Sequence, residues 1–248
     1  MRTSILLSLL FLVCLVAGLV AFAPLSFAMR SSGIAGQGIG WQQARGSVWS
    51  GQVTGLTWKR QPLGSVNIES SIARLVSGQP LHEARWNGPA GQGRALVTLQ
   101  GQAVEVRDLS ASFPVDRIGK LDPALAGLGS TVRLSKARLV MRGSRCLEAE
   151  GTVTTDLARL AATAFDRDWP VLTGPLSCEQ GEPVARLTGT ADDGTVLALS
   201  GRPSDGLRLE LETPDPDVRA ILQASGFQAD GNKLVYSRSP AGMEESQP

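Results

Sequence analysis

The chain has 248 residues, room for one large domain or two small ones with a real core. Its 24 basic and 23 acidic side chains nearly cancel, and no basic stripe stands out, which argues against a general nucleic-acid binder. The 28 glycines are interleaved with Val, Leu and Thr, a composition for many short strands joined by tight turns.

The first element is apolar. Ile5 to Ala23 carries no charge, follows Arg2 and ends at Pro24. As a helix this stretch reaches about 28 Å, close to the hydrocarbon thickness of a bilayer. Residues 1–23 are therefore expected to be a transmembrane anchor, with the bulk of the chain exported. A cleaved signal peptide is the alternative, with Ser26-Phe27-Ala28 as its small-residue cleavage site. Residues 24–43 read as a linker. Gly36-Gln37-Gly38-Ile39-Gly40 within it lacks the preceding strand and following helix that a phosphate-binding loop needs.

A first β half is expected over 44–142. It opens with "ARGSVWSGQVTGLTW", residues Ala44 to Trp58. Arg45–Ser50 and Gln52–Trp58 read as strands, with Gly51 letting the chain turn. An extra residue at Gly55, a β-bulge, would bring Val53, Leu56 and Trp58 to one face. Core packing is the expected role of Trp49 and Trp58. Leu63–Ser70 is a further strand, and residues 71–78 a helical turn. Ala95, Val97 and Leu99 alternate, as do Val104 and Val106, with Gly101-Gln102 as a two-residue hairpin turn. A short helix is expected near Val115 to Leu121, then a strand over Thr131 to Val140.

A second β half is expected over 143–238. Cys146 to Thr154 reads as a strand. Asp156 stands where it would cap a helix whose apolar face is Leu157, Leu160, Ala161 and Ala164. Asp193-Gly194 and Asp205-Gly206 are hairpin turns between leucine-alternating strands. A last helix, Asp217 to Ser225, offers Val218, Ile221 and Leu222 to a core, and Lys233 to Ser237 is a final strand. Residues 239–248 read as a disordered polar tail. The whole is a mainly β fold: an N-terminal transmembrane helix, then an antiparallel, meander-rich β body with two or three short helices.

Chemistry is sparse. Cys14 lies in the apolar stretch, which leaves Cys146 and Cys178 as a pair in the exported part, most simply a disulfide; two buried free thiols are the alternative. The disulfide closes a loop of about 33 residues, worth roughly 3–4 kcal/mol in the chain-entropy model. His82 is the one histidine, there is no CxxC, and no GxSxG is present, so neither a metal, a cofactor nor a hydrolase elbow is expected. Asp192/Asp193 and Asp215/Asp217 have structural explanations, at a hairpin tip and at a helix N-terminus.

Gly46-Ser47-Val48-Trp49-Ser50-Gly51, followed by a strand and then Pro62-Leu63-Gly64-Ser65-Val66, resembles the start of type II secretion system protein N, also called general secretion pathway protein N. The matching residues are Gly46, Val48, Trp49, Gly51, Trp58, Leu63, Gly64 and Val66. Ser47 replaces the family's threonine. Ile68 stands where the family has a second tryptophan, a space Trp86 is expected to fill from another strand. The layout and the "LxGxxxC" of Leu172 to Cys178 are also similar. The resemblance implies a non-enzymatic component of the secretion machinery. It would be held in the bacterial inner membrane by a single span over residues 5–23, with its bulk in the periplasm. Its partners would be other inner-membrane and periplasmic secretion-system proteins. A likeness to AsmA-like envelope proteins implies a curved sheet with a lipid groove. A periplasmic protein that binds lipid or another apolar ligand, with its signal peptide cleaved, is therefore the alternative. An exported carbohydrate-active enzyme would need two close, buried carboxylates.

Overall fold

In the computed structural model, residues 22–31, 33, 36, 38–58, 61–70, 81–115 and 127–238 are described, with positions 7, 9–12, 14, 15 and 18 of the apolar stretch. Those isolated positions are helical, and among the described residues no helix is long and apolar enough to cross a membrane. Most of the expected anchor lies outside the described residues. So do the expected turn over 71–78, residues 116–121 of the expected helix, and the tail.

The protein is mainly β and antiparallel, and the chain divides into two compact units. The first is Met1–Ala90 with Leu96–Thr98; the second is Gly91–Ala95 with Leu99–Pro248. The division runs through one strand, Gly91–Gln100. Gly143, where the sequence reading places the start of the second half, lies in the tight turn between the paired residues Arg142 and Arg145.

The first unit begins with a short helix, α1 (Leu25–Ser31), inside the stretch read as linker. Its strands are β1 (Ile39–Gly40), β2 (Gln43–Gly46), β3 (Ser50–Trp58), β4 (Gln61–Ser70) and β5 (Leu81–Gly88). They pair in the order β1-β3-β4-β5, and β2 also pairs with β3. The expected bulge is present. Between Val53 and Leu56, β3 takes one more residue than β4, and Gly55 supplies it at φ +64. Leu56 thereby joins Val53 on one face. A second shift follows at once, between Leu56 and Thr57, with the extra residue on β4. Trp58, at the end of β3, is nonetheless 48% exposed. Core packing therefore fails as an account of Trp58.

After β6 (Gly91–Gln100), the second unit continues through β7 (Ala103–Pro114), β8 (Thr131–Arg142) and β9 (Arg145–Thr155). Then come helix α2 (Leu157–Ala162), β10 (Leu172–Glu179), β11 (Glu182–Thr190), β12 (Val196–Arg202), β13 (Gly206–Glu212), helix α3 (Pro216–Ala224), β14 (Gln228–Asp230) and β15 (Lys233–Arg238). From β7 to β13 neighbours in sequence pair in space, and β13 then pairs with β15, which carries β14. The Asp-Gly turns stand as expected: the Asp193 carboxylate accepts from Thr195 N–H at 2.8 Å, with Gly194 at φ +83.

Alternation places Leu197, Leu199, Leu209, Leu211 and Leu234 on one face, and α2, α3, Trp169 and Phe227 close over it. Phe165 stacks on Trp169 with ring centroids 5.4 Å apart. Both helix faces differ in detail from the sequence reading. In α2 the buried residues are Leu157, Ala158 and Ala162, with Leu160 and Ala161 half-buried. Asp156 precedes α2 without a side-chain cap; its carboxylate accepts from Thr131 N–H at 2.8 Å, at the start of β8. In α3, Val218 and Leu222 are buried, whereas Ile221 is 51% exposed. Asp215 is the true cap, accepting from Asp217 and Val218 N–H at 2.9 and 3.3 Å and pairing with Arg167. The backbone N–H groups of Asp217 and Val218, with Arg167, hold the Asp215 carboxyl below the usual carboxylate range.

Candidate functional site

The GSVWSG stretch forms the tip of the β2–β3 hairpin, with Gly46 opposite Gly51. Ser47 organises the loop between them. Its N–H donates to the Ser50 carbonyl at 2.9 Å, and its Oγ accepts from Trp49 and Ser50 N–H at 3.3 and 3.2 Å. A threonine hydroxyl would do the same, so the family's Thr and this chain's Ser are physically equivalent here. The left-handed turn falls on Gly46, at φ +84, and not on Gly51. Gly51 is needed for room instead: a Cβ there would lie 2.6 Å from Leu25 Cδ2 and 2.7 Å from the Ser47 carbonyl oxygen.

Those contacts show what the tip holds. Leu25, the buried residue of α1, sits against Gly51. Just before it, the Ala23 carbonyl accepts from Val48 N–H at 3.1 Å, and Pro24 bridges to Ser47. From the other side Ser70, at the end of β4, donates its N–H to the Trp49 carbonyl at 2.6 Å and its hydroxyl to the Val48 carbonyl at 3.5 Å. Ser70 Oγ also meets His82 Nδ1 at 2.6 Å, so His82 is part of this network and half-buried. The motif is therefore a clamp on the residues that follow the apolar stretch.

The two faces of the first unit differ. Ala44, Val53, Val66 and Trp86 lie in one cross-strand row, with Gly51, Ile68 and Ala84 in the next. Trp86 thus stands on the same face as Ile68, one step along, opposite Val66, while Ala84 is the residue opposite Ile68. Gly64 and Gly88 let β4 and β5 approach closely, since a Cβ on Gly88 would lie 2.1 Å from the Leu63 carbonyl oxygen. On the opposite face Arg45, Gln52, Asn67 and Arg85 form an exposed polar row across four strands. A depression of about 310 Å³ lies there, lined by Arg45, Ser50, Gln52, Asn67 and Glu69 among others. This row belongs to no glycine or tryptophan motif; only the polar positions of β3 and β4 mark it in the sequence.

The second unit uses its polar groups on itself. Glu105, 2% exposed, accepts from Arg107 at 2.7 Å and from Arg138 at 2.8 Å, and Arg138 also reaches Glu148 at 2.8 Å. The two guanidiniums, Arg107 foremost, hold the Glu105 carboxyl below the usual carboxylate range. A buried carboxylate so paired is a poor proton donor, and its closest ionised neighbours are cations, not the second acid that glycoside hydrolysis requires. On the polar face of β11–β13, Arg186 and Arg202 pair with Glu179, and Arg208 and Lys233 with Glu210. A cavity of about 560 Å³ near β14 is lined by Arg208, Ser225, Gln228, Asp230 and Ser237 with Tyr236, a polar lining unsuited to an acyl chain. Cys146 and Cys178 form the expected disulfide, with Cα atoms 5.7 Å apart. It ties β9 to β10 beyond the four residue pairs, 152–155 with 172–175, by which those strands join. Gly174, in the LxGxxxC stretch, packs so tightly on β11 that a Cβ would lie 1.7 Å from the Arg186 carbonyl oxygen.

Compared with known proteins, residues 37–234 match the family model of type II secretion system protein N. Neither the curated proteins nor the solved structures yield a match.

Proposed function

The chain belongs to the type II secretion system protein N family, and from that premise we propose that it is a non-enzymatic, membrane-anchored component of the secretion machinery, acting on the periplasmic side through protein contacts. The observation that carries the contact role is the exposed row Arg45, Gln52, Asn67 and Arg85, an open hydrogen-bonding surface with a shallow depression, on the unit that follows the apolar stretch. A polar, open surface of this kind suits an association between envelope proteins better than a substrate pocket. The uncharged run from Ile5 to Ala23 supports the anchor, and the Cys146–Cys178 disulfide fits an oxidising compartment.

The test is the exoproteome of a strain lacking the gene, beside a complemented strain. Folded exported proteins held in the periplasm, and released on complementation, are the expected result. Unchanged secretion with altered envelope permeability or lipid content would replace this reading with the lipid-binding one.

A further inference from the structure

The clamp makes a geometric link between the apolar stretch and the sheet. Ala23 is the last residue of the apolar stretch before Pro24, and its carbonyl accepts from Val48 N–H at 3.1 Å. Wherever residue 23 stands relative to a bilayer, the hairpin tip stands within a residue's length of it. The polar layer on each side of the hydrocarbon is about 5–8 Å thick. A tip bonded to the end of a membrane span cannot lie outside that layer. The residues nearest this junction suit it. Phe22 is 83% exposed and Phe27 is 68% exposed, flanking the buried Leu25, while Trp49 is half-buried at the tip and Arg30 lies in the last turn of α1. A Trp at the headgroup level, with exposed Phe rings in and just before a short helix and a cation at its end, suits an interfacial element whose apolar side enters the headgroup–acyl boundary.

We propose that the Gly46–Gly51 hairpin tip and α1 form a second contact with the lipid surface, with Phe22, Phe27 and Trp49 in the headgroup layer. α1 is then an interfacial element, and the GSVWSG clamp fixes the first unit against the membrane instead of leaving it on a free tether. This rests on the anchor reading above.

The experiment uses the full chain reconstituted in phosphatidylcholine–phosphatidylglycerol vesicles whose lipids carry bromine either near the headgroup or near the bilayer centre. Flotation at alkaline pH establishes first whether the chain is integral. Phe27→Trp, at an exposed position, adds an indole emission that headgroup-proximal bromine is expected to quench about twofold, and central bromine clearly less. Trp49→Phe is expected to remove part of the quenchable signal of the parent protein. A chain that floats, yet whose added emission from position 27 is untouched by either bromolipid and whose quenching is unchanged by Trp49→Phe, overturns the proposal and leaves the anchor standing. A chain that does not float overturns both.

Discussion

In the second unit, side chains from β9 to β13 and β15 meet beneath α2, α3 and Trp169 in one apolar cluster. In the first, Leu25 and Val53 are the deeply buried hydrophobics among the described residues. The second unit also spends its charges internally, on Glu105, Glu179 and Glu210, and is stapled by a disulfide. The first leaves a row of Arg, Gln and Asn exposed, with Arg85 paired to Glu83, and shapes its strands with bulges and close glycine contacts. The difference separates a part whose core and charges close on themselves from a part that leaves a polar row exposed to solvent.

That contrast can be broken by substitution, and the largest effects belong to the second unit. Replacing both Cys146 and Cys178 by serine is expected to cost roughly 3–4 kcal/mol, read as a lower denaturant midpoint with a steeper slope, because the denatured chain freed of its cross-link exposes more surface. Gly174→Ala is expected to cost about 3 kcal/mol, because the new methyl meets backbone that cannot give way as a side-chain end would. In the first unit, Leu25→Ala removes the one buried anchor of α1, at about 2 kcal/mol. Its signature is local: faster hydrogen exchange at the Val48 amide, which is bonded to Ala23, with the leucine core of the second unit unaffected.

Acid sharpens the comparison further. Glu105 and Asp215 both have carboxyls held below their ordinary range in the folded chain. Their contribution is fully present above the ordinary carboxylate values near pH 4 and is lost as pH falls through the depressed ones. Melting temperature is therefore expected to be level from pH 7 to about 5 and to fall below about 4. Glu105→Gln should flatten the fall if this pairing is responsible. The smallest effect expected is for Ile221→Ser, within about 0.5 kcal/mol, because the side chain is half in water; the adjacent Leu222→Ala is expected to cost at least about 2 kcal/mol.

Ile221 also illustrates what the sequence can and cannot tell. Glycine-marked features are legible: the Asp-Gly hairpins and the bulge at Gly55 each follow from backbone sterics that a single residue announces. Rotational detail is not. A nine-residue helix such as α3 and a six-residue one such as α2 give too few turns for periodicity to choose the buried stripe. The exposure of Trp58 is likewise unannounced, because alternation assigns a face of β3 and not what covers its end. The purpose of the GSVWSG tip is hidden for another reason. Its partners, Ala23, Pro24, Leu25 and Ser70, are distant in sequence, and only the folded chain brings them together.

The most direct test of the division of labour is in-cell photo-crosslinking from two exposed positions, Asn67 in the polar row of the first unit and Ser237 on the polar face of the second. Adducts with other secretion-system proteins from position 67, and few or none from 237, are the predicted result. Protein adducts from 237 with none from 67 would contradict the account and move the contact surface to the second unit.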